Sequence, residues 1–144
     1  MKNYSLGFVF SPDLKEVYLI RKNRPAWQAG KLNGIGGEML PGESITTCMI
    51  REAQEETGLE TRPDDWMIYA FLHGPDFRVM VSWLRLSLPC RQPLTKTDEE
   101  IVLVRISDLE NHETIDNVPL LIQAALADMR SKPERGFFLT LDYC

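Results

Sequence analysis

Apolar and polar positions along the chain change period several times, and each change marks an element. Near the start, YSLGFVF (4–10) and EVYLIRK (16–22) are rich in β-branched and aromatic residues and flank Ser11-Pro12-Asp13. This pattern predicts two strands joined by a turn. The segment NRPAWQAGKLNGIGG (23–37) is a glycine-rich loop leading into a short extended piece. Helical spacing then takes over at Ile45, Cys48, Met49 and Ala53, with Ser44 as N-cap and Gly58 as the residue that ends the helix. WMIYAFLH (66–73) and FRVMVSWLRLSL (77–88) predict a hairpin across Gly74-Pro75-Asp76. IVLVRI (101–106) predicts another strand. Residues 118–130 predict a second helix, capped by Asn117, with Leu121, Ala125 and Met129 along one side. FFLTLDY (137–143) is read as a final strand. No repeat, linker or low-complexity segment interrupts this order. The expectation is an α/β fold in which mixed β-sheet is sandwiched between helices, one domain spanning residues 1–144.

Composition narrows the function classes. The chain has 144 residues, enough for one domain with a sizeable core, and its 44% hydrophobic and 26% charged residues are ordinary for a globular protein. A net charge of −5 argues against binding nucleic-acid duplex through its backbone, which requires a basic face. It leaves open a small phosphorylated ligand, because metal ions can supply positive charge. Cys48, Cys90 and Cys144 are far apart, odd in number and without a CxxC pair, so free thiols in a reducing cytoplasm are expected. The first apolar run is broken by Ser11, Pro12 and Asp13, unlike a signal peptide, and no run approaches membrane-spanning length. The expected location is cytoplasmic, without a membrane partner, as monomer or homodimer.

The glycine loop GIGGEMLPGES (34–44) invites two nucleotide-binding readings, and both fail. A dinucleotide fingerprint starting at Gly34 needs a third glycine where Met39 stands. A phosphate-binding P-loop starting at Gly37 needs a lysine where Glu43 stands, and that reversed charge would repel phosphate. Gly34 alone reads as a tight turn needing positive φ. Gly36 and Gly37 read instead as backbone that lets a ligand or ion approach a carbonyl oxygen closely.

REAQEETG (51–58) carries the strongest chemical signal. At ~100° per residue, Glu52, Glu55 and Glu56 share one helix face. Glu52 and Glu56 form a like-charge i,i+4 pair, and all three glutamates lie at the helix end where the dipole disfavours anions. No lysine is interleaved, and only Arg51, four residues before Glu55, can answer them. The arrangement points to a bound cation. Oxygen-only donors select a hard divalent ion, Mg²⁺ with Mn²⁺ possible, over zinc. His73 and His112 are the only histidines and are read as incidental.

Gly37, Glu43, Arg51, Glu52, Ala53, Glu55, Glu56, Gly58 and Leu59 match the Nudix box, G-x5-E-x7-R-E-U-x-E-E-x-G-U with U bulky and apolar, over residues 37–59. Ala53 is a small occupant of the first U position. The chain resembles the Nudix hydrolases, and its strand and helix order extends that resemblance across its length. The resemblance implies Mg²⁺-dependent hydrolysis of a nucleoside diphosphate linked to another group. Glu52, Glu55 and Glu56 would ligate metal with the Gly36 carbonyl, and Arg51 and Glu43 would orient the carboxylates and loop. Family members commonly draw one more carboxylate from a facing loop. In TKTDEE (95–100) this would be Glu99 or Glu100, whose side chains diverge; Glu100 is also expected as a metal ligand.

The stretch AGKLNGIGGEMLPGE is similar to MutT-type purine nucleoside triphosphatases. That similarity makes Asn33 either a reader of the base edge or a turn residue beside Gly34. It also places Asp116 and Asn117 among the base readers, although Asn117 departs from the acidic pattern and no tryptophan precedes the pair. Lys22, Arg24 and Lys31 are candidates for the distal phosphates. Trp27 and Trp83 could stack on a base, although core or surface roles are commoner for such residues. The implied reaction is cleavage of a nucleoside triphosphate, by expectation a purine one, to monophosphate and pyrophosphate. The alternatives are ADP-sugars or dinucleoside polyphosphates as substrates, or a non-catalytic Nudix module that binds nucleotide.

Overall fold

A computed structural model describes residues 1–88, 91–131 and 138–144. Among these, eight strands alternate with two helices: β1 (Lys2–Phe10), β2 (Glu16–Arg21), β3 (Leu32–Asn33), β4 (Ile35–Glu38), α1 (Ile45–Thr57), β5 (Met67–His73), β6 (Phe77–Arg85), β7 (Ile101–Arg105), α2 (Val118–Arg130) and β8 (Leu139–Asp142). Short 3₁₀ turns at Ala26–Gln28, Pro63–Asp65 and Ile106–Asn111 occupy segments the periodicity left as loop or strand end. Cys90, and Phe137 at the start of the expected final strand, lie outside the described residues.

The sheet runs β3-β2-β1-β6-β5-β8, with β4 also on β1 and β7 also on β2. Strand β1 is the hub. It pairs in parallel with β6 along its whole length, while Tyr4 to Gly7 pair with β4 and Val9 and Phe10 pair with β2. One strand thus serves two partners in succession, and the sheet forks at Phe8.

Period-2 alternation decides which helix covers which face. Phe8 and Phe10 of β1, with Val17 and Leu19 of β2, join a cluster containing Val118, Leu121, Ile122 and Ala125 of α2. The intervening Val9 and Tyr18 join a second cluster with Met49 and Ala53 of α1. The helices therefore cover opposite faces of the mixed sheet. A register shift between Ile68 and Ala70 lets the adjacent Tyr69 and Ala70 both bury, and the Tyr69 hydroxyl donates to the Leu121 carbonyl at 2.7 Å.

One local expectation is overturned and a second holds in position only. Gly34 does not have positive φ; a Cβ there would meet the Gly7 carbonyl oxygen and Leu6 Cδ1 at 2.9 Å each, so close packing against β1 requires it. Asn117 occupies the cap position of α2, but its side chain makes no capping bond. Among the described residues no helix is long and apolar enough to cross a membrane.

Candidate active site

Helix α1 is held at both ends by local chemistry. Ser44 Oγ accepts the Thr47 N–H at 3.1 Å, and Gly58, at φ 78°, closes the last turn with its N–H on the Gln54 carbonyl. Burial of Met49 and Ala53 against the sheet sets the helix rotation. It carries the charged face along the backbone of β4, where Gly36 and Gly37 lie.

Arg51 is the centre of this face. Its Nε and Nη2 grip Glu43 Oε2 and Oε1 at 2.7 and 3.0 Å, a two-pronged bond that ties the loop to the helix. Nη1 reaches Glu52 Oε1 at 2.9 Å and Glu55 Oε2 at 3.2 Å, and Nη2 also donates to the Glu38 carbonyl at 3.1 Å. Glu43 Oε1 accepts the Leu40 N–H as well, at 2.9 Å. The guanidinium first, and that amide second, hold the Glu43 carboxyl down at about 2. Glu43 in turn pushes Arg51 further above its usual range. Part of the repulsion implied by REAQEETG, that at Glu52 and Glu55, is therefore answered within the chain, while Glu56 is left for a cation to answer. One arginine serves two of them, Glu52 and Glu55, together with Glu43 of the loop. Among the described residues no three His, Cys, Asp or Glu side chains stand together as a ready-made metal cage.

Glu56 lies outside Arg51's reach. It is buried, accepts the Gly36 N–H at 2.9 Å, and its carboxyl is pushed up to about 8. Burial is the main cause, offset in part by the Gly36 amide; Glu52 raises it further, while Lys22 opposes. At Gly37 a Cβ would come within 2.4 Å of Glu52 Oε1, so the carboxylate rests directly on the loop backbone. Gly36, at φ 152°, could carry no Cβ without meeting the Ser5 carbonyl oxygen at 2.0 Å. Carboxylate oxygens beside a bare backbone, one of them buried and short of positive charge, are a donor set that fits a hard divalent cation.

The run before β7 separates the two candidate glutamates. Glu99 is buried: Oε1 accepts Lys22 Nζ at 3.0 Å and Oε2 the Asn23 N–H at 2.6 Å. Burial pushes its carboxyl up, but those two donors win and hold it low. Glu100 points outward, its side chain 66% exposed and 4.0 Å from Arg21. The expectation of Glu100 as a ligand is thereby corrected: the side chain that turns inward is its neighbour's. Arg24 is likewise corrected as a phosphate contact. It is paired with Asp98 and does not line the cleft described next.

A cleft of about 830 Å³ runs beside this cluster. Gly36, Gly37 and Lys22 line it, as do Asn33, Asp116 and Asn117, which the sequence places far apart. Trp27 lines it too, largely exposed, and so does Lys31. Trp83 does not; it packs on the α2 cluster with Nε1 on Asp128 Oδ2 at 2.7 Å. His73 and His112 sit against Asp142 and Asp108, away from the glutamates.

The NUDIX domain family model matches residues 3–121. The chain belongs to the Nudix hydrolase family. Solved structures with the same Nudix fold include MutT from work on the Aliivibrio salmonicida and Vibrio cholerae proteins, 22% identical, covering 88% of this chain and 98% of that one at a TM-score of 0.73. MutT from Bacillus halodurans is 15% identical, covering 99% and 90%, at 0.72. An ADP-ribose pyrophosphatase from Streptococcus suis is 18% identical, covering 98% of each chain, at 0.68. At these identities the likeness is one of fold.

Beyond the Nudix box, the sequence did not point to Tyr143 or Phe77, both of which line the cleft. Tyr143 lies more than eighty residues past the box and reaches the cleft only because β8 pairs with β5, so no local pattern could have marked it. Arg51→Ala is expected to leave Glu43, Glu52 and Glu55 without their common counter-charge. The loss should be roughly 2–4 kcal/mol, between a surface pair and a fully buried one. Urea denaturation checks this, and a loss below about 1 kcal/mol would demote Arg51 to an ordinary surface pair.

Proposed function

We propose that this Nudix hydrolase cleaves a nucleoside triphosphate, a purine one by preference, to the monophosphate and pyrophosphate. The observation that carries the proposal is that one cleft is lined both by Gly36, Gly37 and Lys22, beside the box carboxylates, and by Asn33, Asp116 and Asn117. A nucleotide has both halves: a phosphate chain for the first group and a base edge for the second.

In this reading Glu52, Glu55, Glu56 and the Gly36 carbonyl hold Mg²⁺ or Mn²⁺, which when bound offsets phosphate charge and promotes attack by water. Arg51 and Glu43 keep the helix and loop aligned so that those oxygens face the cleft. Lys22 is steadied by Glu99 and meets the distal phosphates. Glu99 supplies the carboxylate from outside the box, and its burial keeps both it and Lys22 in place.

Asn33 combines the two roles considered for it. Its Oδ1 accepts the Gly34 N–H at 2.8 Å and so shapes the turn, while among the described residues Nδ2 has only a long contact of 3.4 Å to Gln28 Oε1. That amide can still donate to a base. Asn33→Ala should lower kcat/KM for purine triphosphates by ~2–12-fold more than for pyrimidine ones, the worth of one neutral hydrogen bond. Equal losses for all bases would leave Asn33 a turn residue only.

Assaying a panel of nucleotides for Mg²⁺-dependent release of pyrophosphate against orthophosphate tests the function itself. Pyrophosphate from triphosphates supports the proposal. Activity confined to ADP-ribose-like substrates or dinucleoside polyphosphates would transfer it to those substrates. No hydrolysis, with nucleotide still bound, would make the chain a binding module.

A further inference from the structure

Glu56 and Glu99 are both buried, and one lysine acts on both of them. Lys22 Nζ donates to Glu99 Oε1 at 3.0 Å, and the lysine side chain is itself largely buried. The same ammonium pulls the Glu56 carboxyl down against burial, while Glu99 pushes it up, so the three groups share one field. Glu99 has a second anchor that does not depend on the lysine: its Oε2 accepts the Asn23 N–H at 2.6 Å. The Lys22 backbone is fixed as well. Its N–H bonds the Lys31 carbonyl at 2.9 Å, and its carbonyl accepts the Gly30 N–H at 2.7 Å. Only the tip is free to move, and a flexible four-carbon stem lets it reach or leave Glu99 without shifting the backbone.

Carboxylates taken out of water beside one another repel, and a cation has to offset them before any metal arrives. Lys22 does so with a single positive charge. A divalent ion brings two, and it cannot share Glu99 Oε1 with the ammonium without repelling it. We propose that Lys22 is the resident cation of the metal-free site and competes with divalent metal for Glu99. The lysine gives up Oε1 as metal binds and turns its ammonium to the phosphates. This rests on the metal and phosphate roles assigned above and links them, because Lys22 is withheld from phosphate until metal is in place. Asn23 keeps Glu99 aimed during the exchange, and an ionised Glu99 still attracts the freed ammonium, which a glutamine would not. Lys31 lines the same cleft but, among the described residues, pairs with no carboxylate.

The test is binding of Mn²⁺ to the full chain without nucleotide, followed by electron paramagnetic resonance of the free ion. Lys22→Met keeps a stem of similar length and removes the charge. It should bind Mn²⁺ ~5–30-fold more tightly than wild type, between the worth of a surface ion pair and a buried one. Lys31→Met removes the same charge from the same cleft and should change the affinity by about 3-fold or less, the reach of a screened surface charge. In a Glu99→Gln background the gain from Lys22→Met should shrink to that of Lys31→Met. Unchanged or weaker Mn²⁺ binding by Lys22→Met overturns the inference, since the lysine would then only brace Glu99. An equal gain in Lys31→Met overturns it as an effect of net charge, and so does a full gain in the Glu99→Gln background. Wild type and variants that all fail to bind Mn²⁺ overturn it too. A second measurement needs no variant to fold. Acetylation of Lys22 relative to Lys31 in the wild-type chain, read by mass spectrometry, should rise on adding Mg²⁺, because a released amine is open to reagent. A constant or falling ratio overturns the inference. Failure of the substrate reading looks different: wild type would release no pyrophosphate from any triphosphate while the Mn²⁺ affinities still moved as stated.

Discussion

Glu56→Gln is expected to cut turnover on the order of 100-fold or more, while the metal-free protein becomes at least as stable as the parent. Replacing residues behind a metal ligand already costs 10–100-fold, and Glu56 stands among the proposed ligands themselves. Glutamine keeps the volume and keeps an oxygen for the Gly36 N–H. The stability half follows from the sign of the titration. The Glu56 carboxyl is pushed from 4.5 up to about 8 in the folded chain, so between those values the folded state holds a proton that the unfolded state has released. Stability of the parent therefore falls as pH rises through that window and levels off above it. The glutamine variant has nothing to titrate at this position. The melting temperatures of metal-free parent and variant should diverge from about pH 4.5 to 8, with the variant ahead, and added Mg²⁺ should raise the parent alone. A variant that melts lower than the parent at pH 8 would make Glu56 a structural residue. Glu55→Gln should also cost turnover with little effect on stability, since its side chain is 56% exposed and its pair with Arg51 is at the surface.

The second large effect separates two neighbours. Glu99→Gln is expected to lower turnover by ~10–100-fold, in the range of residues that orient a metal site or its substrate. The change breaks the ion pair with Lys22, whose side chain is itself only 17% exposed, and so releases the cation proposed to meet the phosphates. Glu100→Gln should be nearly silent, because among the described residues its side chain pairs only with Arg21, at 4.0 Å on an exposed surface. Steady-state kinetics of the two variants, with denaturant midpoints as control, distinguishes these outcomes. Two equally mild effects would leave the TKTDEE run without a part in turnover and the site complete within α1 and the glycine loop.

The proposals about substrate stand on different ground from the family assignment. A match over residues 3–121 places the chain among the Nudix hydrolases. Structures resembling it at similar TM-scores include both MutT and an ADP-ribose pyrophosphatase, so the fold by itself does not discriminate between their ligands. In the reading proposed above, discrimination comes from the cleft, and within it from Asn33, Asp116 and Asn117.

What the sequence alone determined was local. Ser44, Gly58 and the apolar spacing between them defined α1 to within a residue, because caps and helical periodicity act over a few neighbours. The box spacing marked Glu43, Arg51, Glu52, Glu55 and Glu56, because one helix and one short loop carry them all. The divergence of Glu99 and Glu100 was also legible, since adjacent residues in extended chain point apart. Which of them turns inward was not, because that depends on the register of β7 against β2 and on Lys22 waiting across the sheet. Arg24 was misjudged for a similar reason: Asp98, which claims it, is distant in sequence and near only in the fold. Gly34 looked like a turn glycine, yet its constraint comes from the β1 backbone packed against it. Tyr143 was invisible until β8 paired with β5 and carried it to the cleft beside Asn117. Sequence spacing specifies which atoms one element can present; only long-range strand pairing, driven by burial of the two hydrophobic clusters, decides which elements present them to each other.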